Sequence, residues 1–208
     1  MKNRNEYETN HMIASGRITA PFQFSHEIRG EGFLKTNLEI TRSSGINDVI
    51  PLVISEQLLD FNQDFSGKAV SVEGNFCSYN KHTKEGSRLL LFMNVRRLEI
   101  LEHLPQKAME NHLFLDGHIC RQPIYRVTPF GREITDILLA VNFSDKKSAY
   151  IPCICWGLSA KCASKFQVGN RIQVVGRVQS REYKKTLENG DFILKTAYEV
   201  SIKQMGLL

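Results

Sequence analysis

The chain repeats itself, and that limits its possible folds more than any other feature. NHMIASGRI, Asn10 to Ile18, lines up with NHLFLDGHI, Asn111 to Ile119, one hundred and one residues later. FLKTNLEI, Phe33 to Ile40, lines up with ITDILLAV, Ile134 to Val141, at the same offset. VIPLVISE, Val49 to Glu56, follows in register with YIPCICWG, Tyr150 to Gly157, sharing its Ile-Pro pair. After a one-residue insertion GKAVSVEG, from Gly67, matches GNRIQVVG, from Gly169, and RRLEI, Arg96 to Ile100, resembles TAYEV, Thr196 to Val200. Five matches in one order, at offsets of 100 to 102 residues, indicate a tandem duplication. A period this long means two copies of one domain rather than a solenoid. The expected layout is a mobile arm over residues 1–9, a first domain over 10–103, a linker over 104–110 and a second domain over 111–208.

Within each copy the pattern is mostly strand. In the second copy HLFLDGHIC alternates and carries a glycine, TDILLAVNF is apolar and β-branched, and AYIPCICW alternates around Pro152, which suggests a bulge or an edge position. LSAKCASKF is Ala-rich and reads as a short helix ending near Gly169. NRIQVVGRVQSREY is a long strand, LENGD a turn, and FILKTAYEVSIKQM the returning strand. This order predicts an all-β chain of two tandem five-stranded oligonucleotide-binding (OB) barrels, each with a short helix between strands 3 and 4.

Charge separates the copies. Residues 1–116 hold 13 Lys+Arg against 15 Asp+Glu, a net of −2, and residues 117–208 hold 14 against 7, a net of +7. A strongly anionic partner is therefore expected at the second copy only. The five cysteines fit small apolar fillers better than a metal site, because C-x-C at 153 and 155 lacks zinc spacing and no His lies nearby. No metal or cofactor is expected. No apolar run approaches the roughly 18 residues of a membrane span, and the start MKNRNEYETN has no apolar core for a secretory signal.

The second copy resembles the bacterial single-stranded DNA-binding protein family across nearly its whole length. Asn111 and Gly117 fit the family's opening strand, and PIYRVTPFGREITDILLAVN, Pro123 to Asn142, is similar to its first loop and second strand. YIPCICWG fits the third strand, where an aromatic-Gly pair leads into the helix, and VGNRIQVVGRVQSREY, Val168 to Tyr183, is similar to the Gly-Arg strand and the basic-aromatic stretch after it. The first copy keeps the glycines and apolar pattern but few family-like surface residues. The resemblance implies sequence-independent binding of single-stranded DNA in replication, recombination or repair, in a cytoplasmic, nucleoid-associated bacterial protein. Family members commonly form tetramers of one-barrel chains, so two barrels per chain imply a homodimer of four. They also commonly end in an acidic tail that recruits other enzymes; this sequence ends SIKQMGLL, and that recruiting role is not expected.

By the same resemblance Trp156, Tyr150 and Tyr183 fall at base-contacting positions. Residues 150 and 156 differ by an even number and so share a strand face. Core packing is the alternative for Trp156; stacking is favoured because Ile151 and Ile154 are better placed to point inward. Phe143 follows LLAVN at a loop that faces nucleic acid in the family, and Phe130 sits in the TPFG turn. The cations form clusters: Arg177, Arg181, Lys184 and Lys185 on the fourth strand and its hairpin, Lys146 and Lys147 in the second-to-third strand loop, Arg126 and Arg132 around the first turn. Any one of them could be plain solvated charge; as a set beside aromatics on an OB barrel they point to binding. The first copy, with Val49 and Ser55 where Tyr150 and Trp156 stand, is expected to be structural, with Tyr79, Lys81, Lys84 and Arg88 as auxiliary contacts.

An enzyme is not expected. The sequence holds no Walker loop, G-x-S-x-G or HExxH, the six His are scattered, and His11 and His112 recur as a duplicated structural position would. An adaptor that uses OB barrels to hold other proteins, in a primosome or a mobile-element replication complex, remains an alternative. RNA remains one too, since stacking platforms accept either strand.

Overall fold

The computed structural model describes residues 9–59, 63–83, 86–104, 109–144, 147–186 and 190–208. The first copy forms β1 (Asn10–Ile18), β2 (Gln23–Ile28), β3 (Glu31–Thr41), β4 (Asn47–Ser55), β5 (Ala69–Thr83) and β6 (Gly86–Ile100). The second forms β7 (Asn111–Ile119), β8 (Ile124–Val127), β9 (Glu133–Ser144), β10 (Lys147–Trp156), the helix α1 (Leu158–Ala163), β11 (Arg171–Thr186) and β12 (Phe192–Leu207). Each half closes an OB barrel, because β1 pairs with both β3 and β5, and β7 with both β9 and β11. The parallel contacts β4–β6 and β10–β12 complete the ring. β2 and β8 are additional strands, each hairpinned onto the strand after it. The helix is α only in the second copy; the first has a three-residue 3-10 turn, Glu56–Leu58, in its place. The arm lies outside the described residues, apart from Thr9, as does most of the linker.

The repeated residues have local reasons. Pro51 and Pro152 each sit one residue before the parallel pairing begins, at Leu52 and Cys153, so the missing N–H falls where the strand is still an edge. Gly16 and Gly117 lie where the first strand crosses the second: a Cβ on Gly117 would meet the Ala140 carbonyl oxygen and one on Gly16 that of Glu39. They are close-approach glycines, not bulges. Asn10 donates to Phe76 O at 2.7 Å and accepts from Phe76 N–H at 2.9 Å; Asn111 does the same with Val178 at 2.8 and 3.0 Å. Each pair of bonds holds the fourth strand just past its bulge at Gly74 or Gly176.

The barrels are joined through their equivalent strands. β1 and β7 run antiparallel with Met12 opposite Leu113, and those two are repeat mates, so a pseudo-twofold axis passes between them. The result is one sheet of twelve strands, β2-β3-β4-β6-β5-β1-β7-β11-β12-β10-β9-β8. Met12, Leu113, Leu115, Ile50, Ile151 and Val174 belong to one continuous buried core.

One repeat match is corrected. Gly74 pairs with Val95 and Gly176 with Ile202, so RRLEI corresponds to residues 203–207 and not to TAYEV. The β11–β12 hairpin is therefore five residues longer than β5–β6. The slip is seven residues, which in a regular strand would exchange the two faces, but the extra residue of the β12 bulge at Lys203 restores the phase, so apolar residues still fall on apolar ones and the sequence match misled.

Ile151, Cys153 and Cys155 point into the barrel. Burial pushes the Cys155 thiol up to about 12 and raises that of Cys153 as well. All five cysteines are free, the inner ones acting as apolar fillers. No described helix is long and apolar enough to cross a membrane.

Candidate nucleic-acid interface

The outer face of the second barrel is built from alternate residues of three strands. On β10, Tyr150 (42% exposed) and Trp156 (38%) stand on the face opposite the buried Ile151, Cys153 and Cys155. Ile154 shares the outer parity; it is buried, but it lines the groove beside Trp156 rather than the barrel interior, correcting the expectation that it points inward. Trp156 pairs across the strands with Ile134 of β9. An exposed indole beside aliphatic groove residues suits base stacking.

On β11 the alternation separates the expected cations. Arg177, Arg181, Tyr183 and Lys185 share the parity that faces outward from the buried Ile172, Val174 and Val178, all four exposed. Lys184 has the other parity, and its ammonium sits 4.5 Å from the centroid of Phe192. It stiffens the hairpin by a cation–π contact and is separated from the Arg177–Arg181 row.

The β8–β9 hairpin closes with a turn. Thr128 O accepts from Gly131 N–H at 2.9 Å, Arg132 O accepts from Thr128 N–H at 2.8 Å, and Gly131 adopts φ +74°, the left-handed position glycine fills in a three-residue hairpin loop. Phe130, at the tip, is 91% exposed. Arg126 donates to both oxygens of Asp136, at 2.8 and 3.3 Å, and that hydrogen bonding raises its pKa. Its charge is thus shared with Asp136 at the edge of the groove it lines. Nearby Glu133 accepts from Tyr125 Oη at 2.8 Å and pairs with Lys161 Nζ at 3.0 Å, contacts that hold its carboxyl below the ordinary range.

These elements surround a groove of ≈ 1090 Å³. Of the expected residues it gathers Trp156, Arg126, Arg132, Arg177 and Arg181. Tyr150, Tyr183, Lys147, Lys184 and Lys185 lie outside its lining. Lys146 and the side chain of Phe143 are outside the described residues. Two carboxylates, Glu182 and Glu199, also line the groove, and Glu199 accepts from Gln179 at 2.8 Å. Among the described residues no ion pair involves Arg132, Arg177 or Arg181, so three guanidinium groups line the groove without a direct carboxylate partner.

The groove also has a wall that sequence reasoning missed. Asn37, Arg42, Ile46, Asn47 and Val49 come from the first barrel. Their proximity depends on the pseudo-twofold packing, which brings β4 against β11 across about 130 residues of sequence, and no local pattern signals that.

At the equivalent spot of the first barrel the chemistry is different. Ser55, the counterpart of Trp156, is buried and donates to Glu31. Val49, the counterpart of Tyr150, is half-buried and its N–H is held by Ser180. Phe33 stands across from Ser55 and stacks on His26, centroids 5.1 Å apart. Tyr79, Lys81 and Arg88 are exposed on the β5–β6 hairpin, and Lys84 lies outside the described residues.

The comparisons with known proteins agree with this geometry. Residues 110–208 match the model of the Single-strand binding protein family. "Single-stranded DNA-binding protein B" of Bacillus subtilis is 32% identical over 82 residues, covering 36% of this chain and 73% of that protein. "Single-stranded DNA-binding protein 2" of Listeria innocua is also 32% identical over 82 residues, covering 36% of this chain and 52% of that protein. The chain spans about half the length of most of the curated relatives it matches. The single-stranded DNA-binding protein of Thermus aquaticus is similar in fold over almost the whole chain, both as wild type (TM-score 0.72) and as a deletion mutant (0.74). Each is 19% identical and covers 96% of this chain, against 92% and 94% of the respective solved chains. One barrel carries the family's sequence, and both carry its fold. The chain belongs to the single-strand binding protein family.

Proposed function

We propose that this protein binds single-stranded DNA without sequence preference, in replication, recombination or repair, and that the second barrel carries the strand. The supporting observation is the groove that places the exposed Trp156 ring beside three guanidinium groups without a direct carboxylate partner among the described residues, Arg132, Arg177 and Arg181. Bases stack on the ring while the arginines neutralise phosphates, and neither contact reads base identity. Tyr150, Tyr183, Lys147 and Lys185 extend the path beyond the groove. With about three phosphates neutralised there, log affinity falls with log salt at a slope of roughly −0.7 per phosphate, about −2 in all. The first barrel acts as scaffold. Two chains would assemble four barrels, and the protein works without catalysis, metal or cofactor in the cytoplasm, at the nucleoid.

The test is titration of Trp156 fluorescence with oligo-dT over a salt series, with light scattering to count chains. Saturable quenching by oligo-dT, not relieved by competing duplex, is expected. Absence of quenching by a folded protein would overturn the proposal and favour the adaptor reading. Equal competition by oligo-U would extend the ligand to RNA.

A further inference from the structure

A carboxylate beside a groove for a polyanion needs a reason, and Asp48 has one. It lies on β4 of the first barrel and is fully buried. Arg42 donates to both its oxygens at 2.6 Å, and Ser180 N–H, on β11 of the second barrel, donates to Oδ1 at 2.7 Å. The neighbouring Val49 N–H donates to Ser180 Oγ at 3.0 Å. Four hydrogen bonds thus meet at one crossing of the two barrels. Ser180 directly precedes Arg181 and is three residues from Arg177, and Arg42, Val49, Arg177, Ser180 and Arg181 line the same groove.

The other side of the pseudo-twofold axis provides a control within the molecule. There Tyr150 N–H donates to Ser78 Oγ at 2.7 Å, the mate of the Val49–Ser180 bond. Asp48, however, is replaced by Ala149, buried and without an acceptor. The carboxylate clamp therefore exists only on the longer hairpin, the one that carries Arg177 and Arg181.

We propose that Asp48 is a positioning residue for nucleic-acid binding: it fixes β11 at Ser180 so that Arg177 and Arg181 are held ready along the groove. This rests on the single-stranded DNA reading of that groove. A two-stranded ribbon projecting from a barrel is only marginally ordered alone. Pinning its backbone from the neighbouring barrel removes an ordering cost that binding would otherwise carry. The first barrel thus contributes to affinity without contacting a base.

Charge alone gives the opposite sign, which makes the inference testable. D48N removes a negative charge and releases Arg42, so an effect of net charge would tighten binding. Positioning weakens it. In the full chain, with melting curves to confirm folding, D48N is expected to bind oligo-dT about tenfold more weakly than wild type. In an R177A/R181A background the same substitution is expected to cost under about threefold, because the side chains being positioned are gone. A purely structural role would give equal losses in both backgrounds. Equal losses, or binding by D48N as tight as wild type or tighter, would overturn the inference. D48A is the more severe companion; if it does not fold, D48N, which keeps the size and an acceptor for Ser180 N–H, carries the test. Failure of the wild type itself to bind oligo-dT would instead sink the functional proposal.

Discussion

The two barrels share a ring of strands, a pair of clamping asparagines and a pair of edge prolines, yet they have diverged at three points of the outer face and at one buried point where they cross. Where the second has Trp156 across from Ile134, the first has Ser55 bonded to Glu31, with the aromatic moved to Phe33 on the neighbouring strand. Where the second has the exposed Tyr150, the first has the half-buried Val49, although the N–H of each is held by a serine of the other barrel. The hairpin is five residues longer in the second, and Asp48 is present only in the first. On the proposed function, each difference removes a feature of binding from the first copy or adds one to the second. The interior and the β1–β7 pairing, which both copies need to fold, kept their pattern. Duplication leaves packing constrained in both copies, while the surface is free to specialise in either.

The largest expected effect comes from the aromatic difference. W156A with Y150A should weaken oligo-dT binding on the order of a hundredfold or more at constant melting temperature, since each stacked base is worth about 1–3 kcal/mol. Equal binding by the folded double variant would remove the distinction between the faces. The shared scaffold should respond alike in the two copies: N10A and N111A are each expected to cost about 1–3 kcal/mol in denaturant unfolding, because each leaves a fourth-strand N–H and C=O unpaired. A large disparity between the two would show that the barrels do not depend on the seam equally. R177A/R181A should reduce the salt slope by about 1.4, two phosphate contacts at roughly 0.7 each. An unchanged slope would place the phosphates elsewhere. Grafting the aromatics onto the first copy, V49Y with S55W, should change affinity by under about twofold, because position 55 is buried and faces Glu31. A substantial gain would mean that the aromatics alone, and not the surrounding face, define a site. F130A, at a fully solvated turn tip, is expected to leave stability within about 0.5 kcal/mol of wild type.

The fold was legible because its main signals are local or repeated. The glycines, the asparagines and the Ile-Pro pairs recur at a fixed offset, and alternation placed Cys153 and Cys155 inside and Trp156 and Tyr150 outside. Legibility failed where the offset itself changed: inside the long hairpin, TAYEV matches RRLEI in apolar phase because the bulge at Lys203 absorbs an odd slip of seven residues. Within the candidate site, resemblance and charge clustering pointed to Trp156, Arg177 and Arg181, and the structure gathers these in one groove. Those signals did not reveal that Arg126 is matched by Asp136 or that Lys184 sits on Phe192, because those pairings depend on neighbouring strands. Arg42, Asp48 and Ser180 had no signal at all. The substitution of Ala149 for Asp48 is visible in the repeat, but it means nothing until the barrels are seen to cross.

Hydrogen exchange on the intact chain, with and without saturating oligo-dT, measures most directly whether one barrel carries the strand and its twin supports it. Protection is expected over residues 124–134, 150–156 and 177–186, with little change over 23–41 on the first barrel. Equal protection of both outer faces would contradict that division of labour.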